Sequence, residues 1–379
     1  MKKIALVSPY NEYNYGTVLQ AYALQRVVEE RGYIAEYLQY SNVVSPPLWK
    51  RVVKKIIGFK KKHSNVTGLD DYSFFSLPEF LEFVNGFESF VKTKIKESPV
   101  KYTPQTLPLC NEYDAYMVGS DQTWGEARTK INTIYFLDNV NEHCPKLSYA
   151  PSIGTTHISR DYLQVLKSKL SHFQSLSCRE KTNCKLLSRE LLREVSYVLD
   201  PVLLLDANEW NKVAQKPQMR ELNRKQYILC YILGEKHSIS DFAEELGKKK
   251  GMPVYYIITR PLYQNKRKSL FATPESFIGL IRDADTVVTD SFHGTIFSIN
   301  YNTSFYSFTK RKTSEVENIS DNDRIFEILD TMGLKERFEC SINSLPGNDV
   351  DFDVANERLC QYREKSLNYI EMVLKEFVI

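Results

Sequence analysis

The stretch that decides the fold is TDSFHGTIFSI, residues 289–299, which follows the apolar segment ADTVV, residues 284–288. The apolar segment is typical of a buried strand, and the small and apolar residues from Gly294 onward are typical of a buried helix. A strand-to-helix turn therefore carries the polar residues Thr289, Asp290, Ser291 and His293. In an open α/β sheet such turns lie at the carboxyl ends of the strands, where ligands bind.

The chemistry of this turn suits an anionic ligand. The unpaired backbone N–H groups that open a helix attract an anion. Gly294 lets a ligand approach the backbone closely, and His293 supplies a hydrogen-bond donor or a proton near neutral pH. The alternative is that His293 only caps the helix, but Asp-Ser-x-His-Gly at the exit of a buried strand favours a functional role.

Composition restricts the class of protein. The 379 residues are enough for two domains, and 42% apolar residues are enough for real cores. A net charge of +3 does not indicate a nucleic-acid partner. The seven cysteines include no CxxC pair, so neither a zinc site nor a disulfide framework is indicated. The apolar runs are too short for a signal peptide or a membrane span, so we expect a cytoplasmic, soluble protein.

Strand and helix patterns alternate along the chain and predict two α/β units. A βαβ opening begins at the first strand, and five or six short strands up to residue 199 make one Rossmann-like domain. The polar segment 206–224 reads as a linker to the second unit. We therefore divide the chain into an N-terminal domain (1–206), a C-terminal domain (207–345) and a C-terminal amphipathic helix (346–379).

Polar residues also follow strands of the N-terminal domain. Asn14 and Gly16 open the first helix, a pattern that fits either ligand binding or turn chemistry alone. Asp121 follows a strand and suits a base or an acceptor for a hydroxyl group. Trp124 either stacks on a sugar ring or packs under a loop. Arg179, at the end of a short strand, suits a carboxylate or phosphate, or else forms a salt bridge within the protein.

An insertion at residues 45–71 contains a basic segment. Residues 49–62 carry seven Lys or Arg and no acidic residue, and their apolar residues repeat at helical spacing. This pattern is typical of an amphipathic helix at a membrane surface. The alternative is a solvated helix whose apolar side covers the domain.

Together the motifs resemble the polysaccharide pyruvyltransferase family. The resemblance rests on NYGTVLQAYALQ (14–25), GSDQTW (119–124), SCRE (177–180), LDPVLLL (199–205), TDSFHGTIFSI (289–299) and DNDRI (321–325), in this order. It implies two Rossmann-like domains facing across a cleft, as in glycosyltransferases of the B type. It also implies transfer of pyruvate from phosphoenolpyruvate to a saccharide diol, often lipid-linked, which gives a ketal and phosphate in surface-polysaccharide biosynthesis.

The resemblance also implies roles for single residues. His293 is expected to contact the phosphate and to transfer a proton, and Asp121 to bind the acceptor or act as a base. Well-known members carry an Arg two residues before the motif His, whereas this chain has Ser291. The donor cation is then expected among Arg179, Arg260 and Arg324. The other candidate substrate-binding residues are Asn14, Gly16, Ser120, Trp124, Ser291, Gly294 and Thr295.

Two other functions stay open on the same architecture. One is a nucleotide-sugar glycosyltransferase of the B type. Many retaining enzymes of that type carry a Glu-x7-Glu pair in the second domain, and residues 206–345 contain none. The other is a non-catalytic sugar-binding protein. The transfer of pyruvate needs no metal, and we expect no cofactor.

Overall fold

The computed structural model describes most of the chain. The described residues are 1–40, 77–107, 111–129, 133–216, 224–234, 237–258, 268–310, 323–346 and 350–378. The insertion predicted at 45–71, with its basic segment 49–62, lies outside these residues, and so does Arg260.

A five-stranded parallel sheet forms the first domain. In space its strands follow the order β3-β2-β1-β4-β5, with β1 (Lys3–Val7), β2 (Ile34–Tyr40), β3 (Glu97–Tyr102), β4 (Ala115–Val118) and β5 (Lys146–Ser148). A bridge between Leu147 and Ser175 leads on to two short paired strands, β6 (Ser177–Cys178) and β7 (Ser196–Tyr197). The strand order reverses between β1 and β4, so the carboxyl ends of these strands border the crevice where such folds bind ligands.

The second domain repeats this topology. Its parallel sheet has the order β10-β9-β8-β11-β12, with β8 (Ile228–Tyr231), β9 (Val254–Ile257), β10 (Lys268–Leu270), β11 (Thr286–Thr289) and β12 (Ser304–Ser307). All four residues of β11 are buried, as is usual for a central strand of a parallel sheet. The order reverses between β8 and β11, which places the turn after β11 at the second crevice. The predicted α/β fold with two Rossmann-like domains is confirmed.

Helices connect the strands in both domains. In chain order they are α1 (Tyr15–Glu29), α2 (Leu77–Lys94), α3 (Glu126–Thr129), α4 (Arg160–Leu170), α5 (Lys181–Leu191), α6 (Ala207–Asn211), α7 (His237–Lys250), α8 (Pro274–Asp283), α9 (Phe292–Asn300), α10 (Asp323–Met332) and α11 (Asp353–Phe377). Local sequence explains their ends: α8, for example, begins with a capping box between Thr273 and Ser276 and has Pro274 in its first turn. Among the helices described, none is long and apolar enough to cross a bilayer.

The segment that reads as a polar linker in the sequence is partly buried. Trp210 in α6 is fully buried, and its ring centroid lies 5.0 Å from that of Phe297 in α9. Its indole N–H donates to the carbonyl oxygen of Val202 at 2.9 Å. The start of the linker therefore belongs to the core between the domains, because one large apolar side chain anchors an otherwise polar stretch.

The two domains pack directly against each other. Tyr15 in α1 stacks on Phe277 in α8 with 4.4 Å between ring centroids, and its hydroxyl donates to the carbonyl oxygen of Ala272. Helix α11 then returns from the second domain to the first, where Ser366 Oγ accepts from the Leu199 N–H and the Tyr369 hydroxyl donates to the carbonyl oxygen of Ser148. These contacts hold the carboxyl ends of the two sheets opposite each other.

Candidate active site between the domains

The turn after β11 is held rigidly by its own polar side chains. Asp290 accepts from the backbone N–H groups of Leu233 and Gly234 at 2.6 and 2.7 Å, which ties this turn to the end of β8. Ser291 is the N-cap of α9 and accepts from the Gly294 N–H at 3.3 Å. The turn thereby presents His293, in the first turn of α9, to the first domain.

Three residues predicted to bind substrate hold α9 and the turn before it in place. A Cβ at Gly294 would lie 2.6 Å from Thr289 Oγ1, so only glycine allows this approach of helix and strand. Thr295 is fully buried, and its Oγ1 pairs with Ser307 Oγ at 2.7 Å. Ser291 is buried and engaged as the cap. The side chains of Ser291 and Thr295 contact the protein and Gly294 has no side chain, so these three residues fix the position of His293.

The start of α1 lies against the His293 ring. Asn14 is the N-cap of α1 and accepts from the Thr17 N–H at 3.3 Å. A Cβ built on Gly16 would lie 2.0 Å from His293 Nδ1, so a side chain larger than hydrogen cannot fit there without moving the ring. Sequence alone cannot decide whether Asn14 and Gly16 serve the turn or a ligand site. In the structure Asn14 caps the helix, and Gly16 makes a close contact with His293 across the domain boundary.

Asp121 lies in the turn after β4 with its carboxylate engaged on both oxygens. Thr17 Oγ1 donates to Oδ2 at 2.8 Å, and the Gln122 N–H donates to Oδ1 at 2.7 Å. Its φ of 72° is in the left-handed region, which Asp tolerates better than most residues. Burial acts to raise the pKa of Asp121, but Arg128, Arg179 and His293 outweigh burial and hold the pKa below its usual value. Asp121 is therefore an ionised hydrogen-bond acceptor beside His293.

Trp124 corrects one expectation. Its side chain is fully buried, its indole N–H donates to the carbonyl oxygen of Tyr135 at 3.2 Å, and its ring meets Phe173 edge-on. A ring at the centre of a core cannot stack on a sugar. The packing alternative is therefore the right one for Trp124.

One carboxylate oxygen joins the two domains. Asp200 follows β7, and its Oδ2 accepts from Arg179 Nη1 at 2.6 Å and from Ser120 Oγ at 3.0 Å. His293 Nε2, from the second domain, lies 3.6 Å from the same oxygen. The side chains of Asp200 and Arg179 are 0% and 1% exposed, whereas His293 is 12% exposed. Burial acts to raise the pKa of Asp200, but His293 and Arg179 outweigh it and hold the pKa well below its usual range.

Arg179 has N–H donors without a hydrogen-bond partner among the described residues. Its Nη1 serves Asp200 and Ser120, whereas the buried Nη2 has no hydrogen-bond partner among the described residues. Its Nε makes only an ion-pair contact, 3.7 Å from Glu180 Oε1. Burying a donor without a partner costs free energy, about 1–3 kcal/mol. The unpaired N–H donors of the guanidinium therefore suit an anion that arrives with a ligand.

Arg324 joins this cluster through an aromatic ring. The guanidinium carbons of Arg179 and Arg324 lie 4.7 and 5.7 Å from the ring centroid of Phe292, the residue before His293. Burial raises the pKa of the neighbouring Glu180, and the positive charges of Arg179 and Arg324 offset only part of that rise. The first turn of α9 therefore supplies both an imidazole and a platform for two cations.

Six predicted residues thus lie in one interdomain cluster: Gly16, Ser120, Asp121, Arg179, His293 and Arg324. Sequence reasoning missed Asp200 and Phe292. The signal for Asp200 was present, because Asp-Pro closes a short strand just as Asp121 follows another. Within the described ranges, no group of three or more His, Cys, Asp or Glu side chains is placed to hold a metal ion. The cluster can bind an anion and move a proton.

Comparisons with known proteins agree with the motifs and the fold. The sequence profile of the family described as polysaccharide pyruvyl transferase matches residues 14–309. A search of curated proteins gave no significant match. Among solved structures, S. aureus MnaA with UDP has a TM-score of 0.53 at 12% identity over 99% of this chain and 97% of its own. Anabaena HepE in complex with UDP and glucose has a TM-score of 0.50 at 10% identity over 99% and 100%. These structures share the fold, with two facing α/β domains as in B-type glycosyltransferases.

Proposed function

Because the chain belongs to the polysaccharide pyruvyl transferase family, we propose that it transfers pyruvate from phosphoenolpyruvate to a saccharide diol and forms a ketal in surface-polysaccharide biosynthesis. The family is one of transferases. The donor and the acceptor are the proposed part.

The observation that supports phosphoenolpyruvate as the donor is the pair of unpaired nitrogens, Nε and Nη2, of the Arg179 guanidinium in the cluster with His293. Phosphoenolpyruvate has a carboxylate and a phosphate, so its site needs fixed cations and N–H donors. Arg179 offers its Nη2 and Nε donors. Arg324 contacts the same Phe292 ring as Arg179, and His293 Nε2 lies in the same cluster. Arg179 therefore takes the donor-binding role that Ser291 cannot fill, with Arg324 as the second cation.

The reaction balances with the residues at hand. A proton is added to the methylene carbon of the enol, and the first acceptor hydroxyl attacks the neighbouring carbon as it loses its own proton. The second hydroxyl then attacks the same carbon, the bond to the phosphate oxygen breaks, and the phosphate leaves with the second proton. His293 delivers the proton to the methylene carbon, and a positioned acid of this kind contributes roughly 100- to 10,000-fold. Asp121, ionised and next to His293, accepts a hydrogen bond from a hydroxyl group of the saccharide.

The acceptor is a saccharide diol, and a lipid-linked saccharide would place the enzyme at the cytoplasmic face of the membrane. The basic segment 49–62 supports this part of the proposal by its composition alone. Seven cations near an anionic leaflet would contribute on the order of 1 kcal/mol each.

A phosphate-release assay tests the proposal. The protein is incubated with phosphoenolpyruvate and a panel of free and lipid-linked saccharides, with His293→Ala as the inactive reference. We expect phosphate release that depends on both a saccharide and His293, and a product heavier by the mass of a pyruvyl ketal. Turnover only in a parallel nucleotide-sugar panel would identify a glycosyltransferase, and saccharide binding without turnover in either panel would identify a non-catalytic protein.

A further inference from the structure

We propose that Asp200 is a positioning residue, which fixes the position of His293 of the second domain relative to Arg179 of the first. This inference rests on the proposed function, since Asp200 acts on the transfer only through these two groups. Asp200 itself is fully buried and is shielded from substrate by the side chains that surround it.

The orientation of the Asp200 carboxylate is fixed from both sides. Its Oδ1 accepts from the Val202 N–H at 3.0 Å and caps the turn Pro201–Leu203. The backbone beyond is tied to the other domain, because Asn300 Nδ2 donates to the carbonyl oxygen of Leu205 at 2.8 Å. The carboxylate cannot turn without losing the hydrogen bonds from Val202, Arg179 and Ser120. Oδ2 is thereby aimed at the groups that meet in the cleft.

The contacts of Oδ2 are not equivalent. Arg179 has other neighbours that keep it in place, namely Ser120 Oγ at 3.2 Å, Glu180 Oε1 at 3.7 Å and the ring of Phe292. His293 Nε2 has no hydrogen-bond partner among the described residues, and Asp200 Oδ2 is the carboxylate oxygen it faces, at 3.6 Å. Asp121 also interacts electrostatically with His293. Loss of the Asp200 charge should therefore disturb His293 more than Arg179.

This asymmetry predicts a separation of binding from turnover. With the charge of Asp200 removed, Arg179 stays under Phe292 and the site becomes more positive, so the trianionic donor still binds. His293 loses the carboxylate opposite its Nε2 and is no longer held for proton delivery. A residue that only stabilised the fold would instead weaken donor binding, turnover and thermal stability together.

The test compares Asp200→Asn with the wild type by phosphate release and by titration with phosphoenolpyruvate. We expect kcat to fall by about 30-fold or more while the KM and the Kd for phosphoenolpyruvate stay within about threefold of wild type. Asp206→Asn is the matched control, because Asp206 caps α6 at an exposed position and Asn caps as well as Asp. It should behave as wild type.

Asp200→Glu separates charge from packing and keeps the test decisive if Asp200→Asn does not fold. Glu retains the charge but is larger, whereas Asn retains the shape but is neutral. We expect Glu to keep more turnover than Asn, or to keep donor binding with reduced kcat if Asn is unfolded. The inference is overturned if Asp200→Asn keeps kcat within about threefold of wild type, if it loses donor binding and turnover together, or if Asn is the more active of the two variants. If Asp200→Asn is unfolded, a folded Asp200→Glu variant that loses donor binding and turnover together overturns it. Absence of phosphate release by the wild type would instead refute the proposed function.

Discussion

Gly16→Ala changes one hydrogen atom to a methyl group where α1 meets the His293 ring of the second domain. The new Cβ would lie 2.0 Å from His293 Nδ1 and 2.4 Å from the neighbouring ring carbon. An ordinary contact begins at 3.4 Å, so the ring must retreat by about 1.4 Å. A misplacement of about 1 Å can lower a rate by about 100-fold, which is about 2.7 kcal/mol of transition-state stabilisation. We therefore expect Gly16→Ala to lose roughly 100-fold in kcat.

The fold should tolerate this change. Alanine is favoured over glycine in a helix by up to about 1 kcal/mol, and an overpacked contact costs about 1–3 kcal/mol. The free energy of unfolding should therefore fall by at most about 3 kcal/mol. Chemical denaturation measures this quantity, and phosphate release from phosphoenolpyruvate measures the loss of kcat in the same preparation.

Gly279→Ala is the matched control for an overlap of equal size. A Cβ at Gly279 in α8 would also lie 2.0 Å from its nearest atom, the carbonyl oxygen of Gln215, but this contact does not involve His293. We expect Gly279→Ala to lower stability and to leave the kcat of the folded protein near the wild-type value. A folded Gly16→Ala variant with wild-type kcat would refute the idea that this glycine sets the position of His293.

Further predictions concern the cations, the buried aromatic ring, pH and the membrane. Arg179→Lys should raise the KM for phosphoenolpyruvate by about tenfold and more than Arg260→Lys does, because an ammonium lacks the planar fork of donors; equal donor titrations of both variants and wild type would place the donor elsewhere. Trp124→Phe should cost roughly 1–3 kcal/mol of stability with no change in the acceptor KM, measured by denaturation and initial rates. The pKa of Asp200 is lower in the folded than in the unfolded protein. Its ion pairs therefore stabilise the fold fully above about pH 4, and this contribution is lost as the pH falls. Acid should lower the unfolding free energy of wild type more than that of Asp200→Asn. Binding to anionic vesicles in a co-sedimentation assay should weaken with salt and disappear when Gln replaces four lysines of segment 49–62, which are Lys54, Lys55, Lys60 and Lys61.

Sequence alone determined the local elements that carry the site. The run 284–299 predicted a buried strand, a polar turn and a buried helix, and the chain folds into β11 and α9 there. These predictions succeed because side-chain periodicity, caps and glycine positions act within a few residues of the chain. The motifs also sufficed for the family, because their order along the chain is itself specific.

Tertiary structure alone decided which of these local features meet. Trp124 and Ser120 belong to the same motif, yet one is buried in a core and the other bonds Asp200 at the cleft. Trp210 turns part of an apparently polar linker into interdomain core. The contact between Gly16 and His293, and the shared bond of Arg179 and Asp200, join segments far apart in sequence. No periodic pattern encodes such contacts, because they depend on how α1, α8 and α11 pack the two domains against each other.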